Sequence, residues 1–143
     1  MDVMPVIHRL RDRLADLKLR EIEPAAGLNA AMNGNRAAPA VYVIPLSERG
    51  VHQPHTGDVD QLEHRLVAVF MTVEAIDTRG GNGAIDLESL RKRVKKALIG
   101  WVPEQDTGDP MLFHSGDLVD FPGDGRIWWA DEYGFTGYFR SEQ

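Results

Sequence analysis

Between Leu62 and Ile76 one extended run carries apolar residues on both of its sides: Val67, Val69, Met71 and Val73 on one, Leu66, Ala68, Phe70 and Ile76 on the other. Side chains alternate across a strand, so a strand that is apolar on both faces must be covered on both and belongs in the middle of a sheet. The rest of the chain has to supply the neighbouring strands and the cover.

Two amphipathic stretches offer the cover. Val3, Ile7, Leu10, Leu14 and Leu17 recur at spacings of three and four, with Arg9, Arg11, Asp12, Arg13 and Asp16 between them, which predicts a helix with Asp2 as N-cap and Pro5 in its first turn. Leu87, Leu90, Val94, Ala97 and Trp101 repeat that spacing behind Asp86, a second N-cap, and the helix should close near Gly100 with Pro103 beyond it.

Strands are predicted at Leu19 to Glu23, at Val41-Tyr42-Val43-Ile44 between Pro39 and Pro45, and at Met111 to Phe121 and Arg126 to Phe139 around the turn Pro122-Gly123-Asp124-Gly125. Ala25 to Arg36 is expected to be a loop with at most one helical turn, and Ser47 to Asp60 a long polar connection. The order is helix, three strands, helix, two strands, without an internal repeat. At 143 residues this suits one domain spanning 1–143, of the α+β class. It would contain a mostly antiparallel sheet of about five strands with both helices packed on one face.

Composition removes several functions. No cysteine is present, so disulfides, thiolate catalysis and thiolate zinc sites are excluded together. The first residues carry neither a basic leader nor a continuous apolar stretch, and no run approaches the roughly 20 apolar residues of a membrane helix, so a cytoplasmic protein without membrane contact is expected. Residues 100–143 hold nine acids against two bases, a balance of −7, while residues 1–99 sum to +1. Such a chain is not expected to bind nucleic acid in a sequence-specific way, because phosphate contacts need clustered cations.

No catalytic constellation stands out. Gly80-Gly81-Asn82-Gly83 precedes a helix but lacks the Lys-Ser/Thr ending of a P-loop, and Asp86 and Glu88 would repel an anion there. None of the serines lies in a Gly-x-Ser-x-Gly elbow. His52-Gln53-Pro54-His55 with Asp58 and Asp60 contains metal-ligand residue types, but Pro54 and Gly57 break the regular face that a helical metal pair requires. No metal, no cofactor and no enzymatic activity are therefore expected. The many acids of the last third, among them Asp117, Asp120, Asp124 and Asp131, read as solvated residues around turns.

Contact features are more prominent. Arg91-Lys92-Arg93-Val94-Lys95-Lys96 concentrates five of the 16 bases in six residues, and these should cover the outer face of the second helix, where they complement its dipole. An acidic surface on a neighbouring copy, bearing Asp117, Asp120 and Asp124, is the partner this basic face would suit. Trp128 and Trp129 point to opposite faces of one strand, so one should enter the core while Trp129 faces outward or the second helix. His52 and His55 in the long polar connection complete the candidate interface.

In order and spacing these elements resemble the bacteriophage tail terminator and tail completion proteins, particularly the tail-terminator-like family of transposable phages and prophages. The carriers are Leu10-Arg11-Asp12-Arg13-Leu14, Ala38-Pro39-Ala40-Val41-Tyr42-Val43-Ile44-Pro45 and the strand Val67 to Ile76 with its Gly-rich break. Ala97-Leu98-Ile99-Gly100-Trp101-Val102-Pro103 and the hairpin Leu112 to Phe139 with Trp128 and Phe135 follow. The resemblance implies a hexameric ring that caps the growing tail tube, stops its polymerisation and provides the surface to which the head docks. Its partners would be further copies of itself, the tail tube protein and a head-tail connector, with assembly in the cytoplasm and residence in the virion tail. An enzyme of small-molecule metabolism, or another phage part such as a connector or tube protein, is the rival reading.

Overall fold

A computed structural model describes residues 1–26, 38–51, 61–74, 85–105, 108–120 and 125–139. The elements are α1 (Met4–Arg13), β1 (Glu21–Pro24), β2 (Ala40–Gly50), β3 (Gln61–Glu74), α2 (Leu87–Leu98), β4 (Leu112–Asp120) and β5 (Arg126–Phe139). Five strands form one sheet in the order β1-β2-β3-β5-β4, with β3 central as its two-sided apolar pattern requires. All pairings are antiparallel except that of β1 with β2, which is parallel. The fold is α+β, as the element order implies.

The faces of β3 divide as alternation dictates. Val67, Val69, Met71 and Val73 join Val6, Ile7, Leu10 and Leu14 of the α1 segment and Leu90, Val94, Ala97 and Leu98 of α2 in one core cluster, so both helices cover the same face. Ala68 and Phe70 lie in a second cluster on the opposite face, with Ala40, Tyr42, Ile44 and Trp128. Each buried Val, Leu, Ile or Phe contributes about 1.5–3 kcal/mol, and β3 supplies such residues to both clusters. Among the described residues no helix is long and apolar enough to cross a membrane.

Local chemistry corrects several expected boundaries. At α1 the N-cap position is Val3, without a side-chain cap, while Asp2 accepts the Met4 N–H at 2.9 Å. The helix stops at Arg13, yet Leu14 still packs into the core, so the apolar spacing outlasts the helix. At α2 the expected cap holds, since Asp86 accepts from Ser89 N–H at 2.7 Å. That helix ends at Leu98 rather than Trp101. Trp101 instead exchanges backbone hydrogen bonds with Leu98 and Met111, and Arg9 Nε donates to the carbonyl of Ala97 at 2.9 Å, satisfying one of the orphan acceptors of the last turn.

Ser47 to Gly50, expected in a polar connection, continue β2 instead. A bulge between Pro45 and Ser47 shifts the register, after which Ser47, Glu48, Arg49 and Gly50 pair with Leu66, Arg65, His64 and Glu63. Pro45 lacks an N–H for the ladder, and the bulge accommodates it without ending the strand. Residues 52–60, 75–84 and 121–124, which include His52, His55, the Gly80–Gly83 run and Asp124, lie outside the described residues, as do 27–37 of the expected first loop.

Candidate functional site

The basic run of α2 does not form a uniform outer face. Arg91 turns inward: its Nε donates to Asp131 Oδ2 and its Nη2 to Asp131 Oδ1, both at 3.0 Å, and its guanidinium stacks 4.6 Å from the ring centre of Trp129. Trp129 Nε1 also donates to Asp131 Oδ1 at 2.8 Å. Asp131 is fully buried, contrary to its expected place among solvated acids. The hydrogen bonds it donates to Asp131 outweigh burial and hold the Arg91 guanidinium still more firmly protonated than usual. Opposite Asp131 in the ladder stands Gly116, where a Cβ would fall against the carboxylate, the guanidinium and the indole N–H together, so only glycine leaves room for the cluster.

The neighbouring bases are also engaged in part. Arg93 Nη1 donates to Asp16 Oδ2 at 3.0 Å and Nη2 to the carbonyl of Arg13, tying the end of α1 to α2. Lys95 lies 4.3 Å over the ring of Phe113. Lys92 and Lys96 remain exposed. Trp129 faces α2, the second of the two orientations expected of it, while Trp128 fills the opposite core against Tyr42. Asp117 is exposed and Asp120 half-buried, both on the outermost strand β4.

Beside this cluster Tyr133 packs edge-to-face on Phe113 at 5.7 Å, with its hydroxyl buried and without a hydrogen-bond partner among the described residues. Burial first, and the Asp131 charge second, push the phenol far above its usual range, so it stays neutral. Tyr133→Phe is expected to raise the unfolding free energy by about 1 kcal/mol in urea titration, because it removes an unpaired polar atom and keeps the ring. A loss of stability instead would mean that the hydroxyl is bonded in solution.

A second arrangement was not legible in the sequence. On the sheet face away from the helices, the end of the sheet beyond the Tyr42–Trp128 cluster forms a groove of about 570 Å³. Ser47 and Arg49 of β2, His64 and Leu66 of β3, Leu112 and His114 of β4, Gly134 and Thr136 of β5 and Asp109 line it. Gly134 sets its depth, since a Cβ there would fall against the imidazole of His114 and approach Leu66. His64 Nδ1 lies 3.5 Å from Thr136 Oγ1.

The two arginines at the groove differ sharply. Arg65 is held by Glu63 at 3.0 Å, by Glu104 at 2.9 Å and by the carbonyl of Tyr138 at 3.1 Å, and its side chain is only 13% exposed. Arg49 is exposed and makes no ion pair among the described residues. The groove therefore sets the Arg49 guanidinium, two imidazoles, two hydroxyls and the Asp109 carboxylate around apolar Leu66 and Leu112. Among the described residues no three His, Asp or Glu side chains are grouped to hold a metal ion. The sequence signals that could have pointed to the groove are the polar continuation of β2 and a glycine within the aromatic β5.

Comparison with protein families matches residues 1–143 to the model described as phage tail terminator protein. No curated protein matches the sequence. Among solved structures, a chain from "Virion of native gene transfer agent (GTA) particle" is similar with a TM-score of 0.49 and 13% identity, covering 94% of this chain and 92% of the other.

Proposed function

The chain belongs to the phage tail terminator family, and as a phage structural protein of that family we propose that it caps the tail tube, ends tube polymerisation and presents the surface to which the head docks. The single observation carrying this is the family match over residues 1–143. We propose further that it acts as one domain and closes into a hexameric ring, assembling in the cytoplasm and remaining in the virion tail. Its partners are then other copies of itself, the tube protein and a head-tail connector. Such a part does its work by contact and needs no catalysis, metal or cofactor.

Lys92 and Lys96 are the exposed cations of the basic helix, and in this reading they meet the acidic surface of a neighbouring copy or the tube, with the His52–His55 segment and Asp124 as further contacts. Arg91, Arg93 and Lys95 are already held by Asp131, Asp16 and Phe113.

The test is negative-stain imaging of tubes grown from the cognate tube protein with and without this chain. Capped tubes of limited length, each ending in a ring, are expected. Extended tubes formed by this chain alone would instead identify a tube protein, and uncapped tubes would refute the reading. Reversing Lys92 and Lys96 to Glu is expected to raise the concentration needed for capping by about tenfold, since facing charges are reversed while the fold keeps its inner ion pairs. Capping at the unchanged concentration would remove this helix face from the contacts between copies and with the tube.

A further inference from the structure

We infer that the groove on the sheet face away from the helices is a built site for an acidic segment of another polypeptide, one that presents a carboxylate beside an apolar side chain. The inference goes beyond the tail reading and stands without it, because it concerns only what the groove holds.

Two irregularities of the sheet converge on this place. Along β2, Tyr42 and Ile44 pair with Phe70 and Ala68 and share their face, whereas beyond the bulge it is Ser47 and Arg49 that stand opposite Leu66 and His64. Leu46 is the extra residue there, and it exchanges the two sides of the strand. Without it, simple alternation would set Glu48 opposite His64 and turn Arg49 toward the helices. Strand β4 repeats the device: Phe113 pairs with Tyr133 and Ser115 with Glu132, which leaves His114 as an extra residue. Its imidazole lies against Gly134, in the space that a Cβ would fill. Bulges re-aim side chains and gather beside functional sites. Here two of them, on strands separated by β3 and β5, deliver a guanidinium and an imidazole to one groove.

The charges facing the groove select its ligand. Arg65 is saturated by Glu63, Glu104 and the carbonyl of Tyr138, and the Asp109 carboxylate has an interaction of its own. Arg49 is the cation left without an ion pair among the described residues, and it forms a row across three strands with His64 and Thr136. A carboxylate suits that row, since it accepts a charge-assisted hydrogen bond from the guanidinium. The next row inward, roughly 7 Å along the strands, sets Leu66 and Leu112 on either side of Gly134. Leu112 is 54% exposed, apolar surface that a bound side chain would cover. Residues two apart in an extended chain have that same spacing and point the same way, so an acid followed two positions later by an apolar residue meets both rows together. A small free acid reaches one row and leaves the leucines uncovered, which favours a polypeptide.

The probe is a capped peptide, Gly-Ser-Glu-Ser-Leu-Ser-Gly, titrated into the isotope-labelled full chain while the backbone amide signals are followed by NMR. Saturable shifts confined to the groove, at His64, His114, Gly134 and Thr136, are expected with a Kd of about 1 mM or tighter. The same peptide with Gln in place of Glu, and free butyrate, should each bind at least about tenfold more weakly, the first for want of charge and the second for want of the apolar contact. Arg49→Gln, at an exposed position, should weaken the Glu peptide about tenfold and remove its advantage over the Gln peptide. Gly134→Ala, which drives the His114 imidazole from its notch, should also weaken binding. Where that variant disturbs signals outside the groove, Arg49→Gln decides. Absence of saturable shifts, shifts away from the groove, or equal binding of the Gln peptide would overturn the inference. Butyrate binding as tightly as the peptide would overturn it in favour of a free organic acid, and an Arg49→Gln chain that still prefers Glu would show that the re-aimed guanidinium is not what holds the carboxylate.

Discussion

Asp131→Ala is expected to lower the unfolding free energy by about 3–5 kcal/mol, a drop in melting temperature of roughly 10–20 °C for a domain of this size. The carboxylate is fully buried and satisfied by three donors, two from Arg91 and one from Trp129 Nε1. Removing it leaves a guanidinium, whose side chain is 14% exposed, facing a cavity with its charge uncompensated, and Glu88 on the solvent side replaces only part of the lost contact. Arg91→Met, which strands the carboxylate instead, should cost a similar amount.

The double variant Asp131→Leu with Arg91→Met is expected to recover most of the loss, because a buried ion pair replaced by apolar groups of similar volume is often neutral. Urea unfolding of the three variants checks this. A cost below about 1 kcal/mol for Asp131→Ala would mean that water reaches the pair and screens it. The experiment also bears on function, since the pair fixes α2 to β5 and so sets the height at which Lys92 and Lys96 stand above the surface.

Where local pattern alone decides structure, the sequence was sufficient. Alternating apolar residues gave the two faces of β3, and Asp86 before a three-four repeat gave the start of α2. Pairing across long separations was not legible. Asp131 looked like one more acid beside a turn, because nothing near it reveals that Arg91, 40 residues earlier, comes to lie above it. The same blindness made the basic run look like a uniform solvated face. Gly116 held the missing hint, for a glycine inside a strand marks a close approach, but its partners are remote in sequence. The groove stayed hidden for a related reason: it is made by four strands meeting at one end, and its β2 contribution begins only after a bulge that resembles the end of a strand. The contact surfaces proposed from charge in His52, His55 and Asp124 fall outside the described residues.

The adjacent tryptophans offer a sharper separation of the two cores. Trp128→Ala is expected to cost about 3–5 kcal/mol, the usual range for emptying a fully buried indole site. Its ring is 1% exposed and lies nearly parallel to that of Tyr42, with centres 6.0 Å apart and planes at 22°, an offset stack that adds to the area it buries. Trp129→Ala, on the helix face, should cost less, about 2–3 kcal/mol, because the indole is only partly buried and its loss leaves Asp131 with both Arg91 bonds. The discriminating measurement is the combination of each with Asp131→Ala. Trp128 lies across the sheet and shares no partner with Asp131, so the two losses should add within about 0.5 kcal/mol. Trp129 shares both Asp131 and Arg91, and that pair should fall short of additivity by 1 kcal/mol or more. Additive behaviour of Trp129 with Asp131 would show that the indole contributes packing alone, and coupling of Trp128 with Asp131 would show that the sheet transmits strain between its two faces.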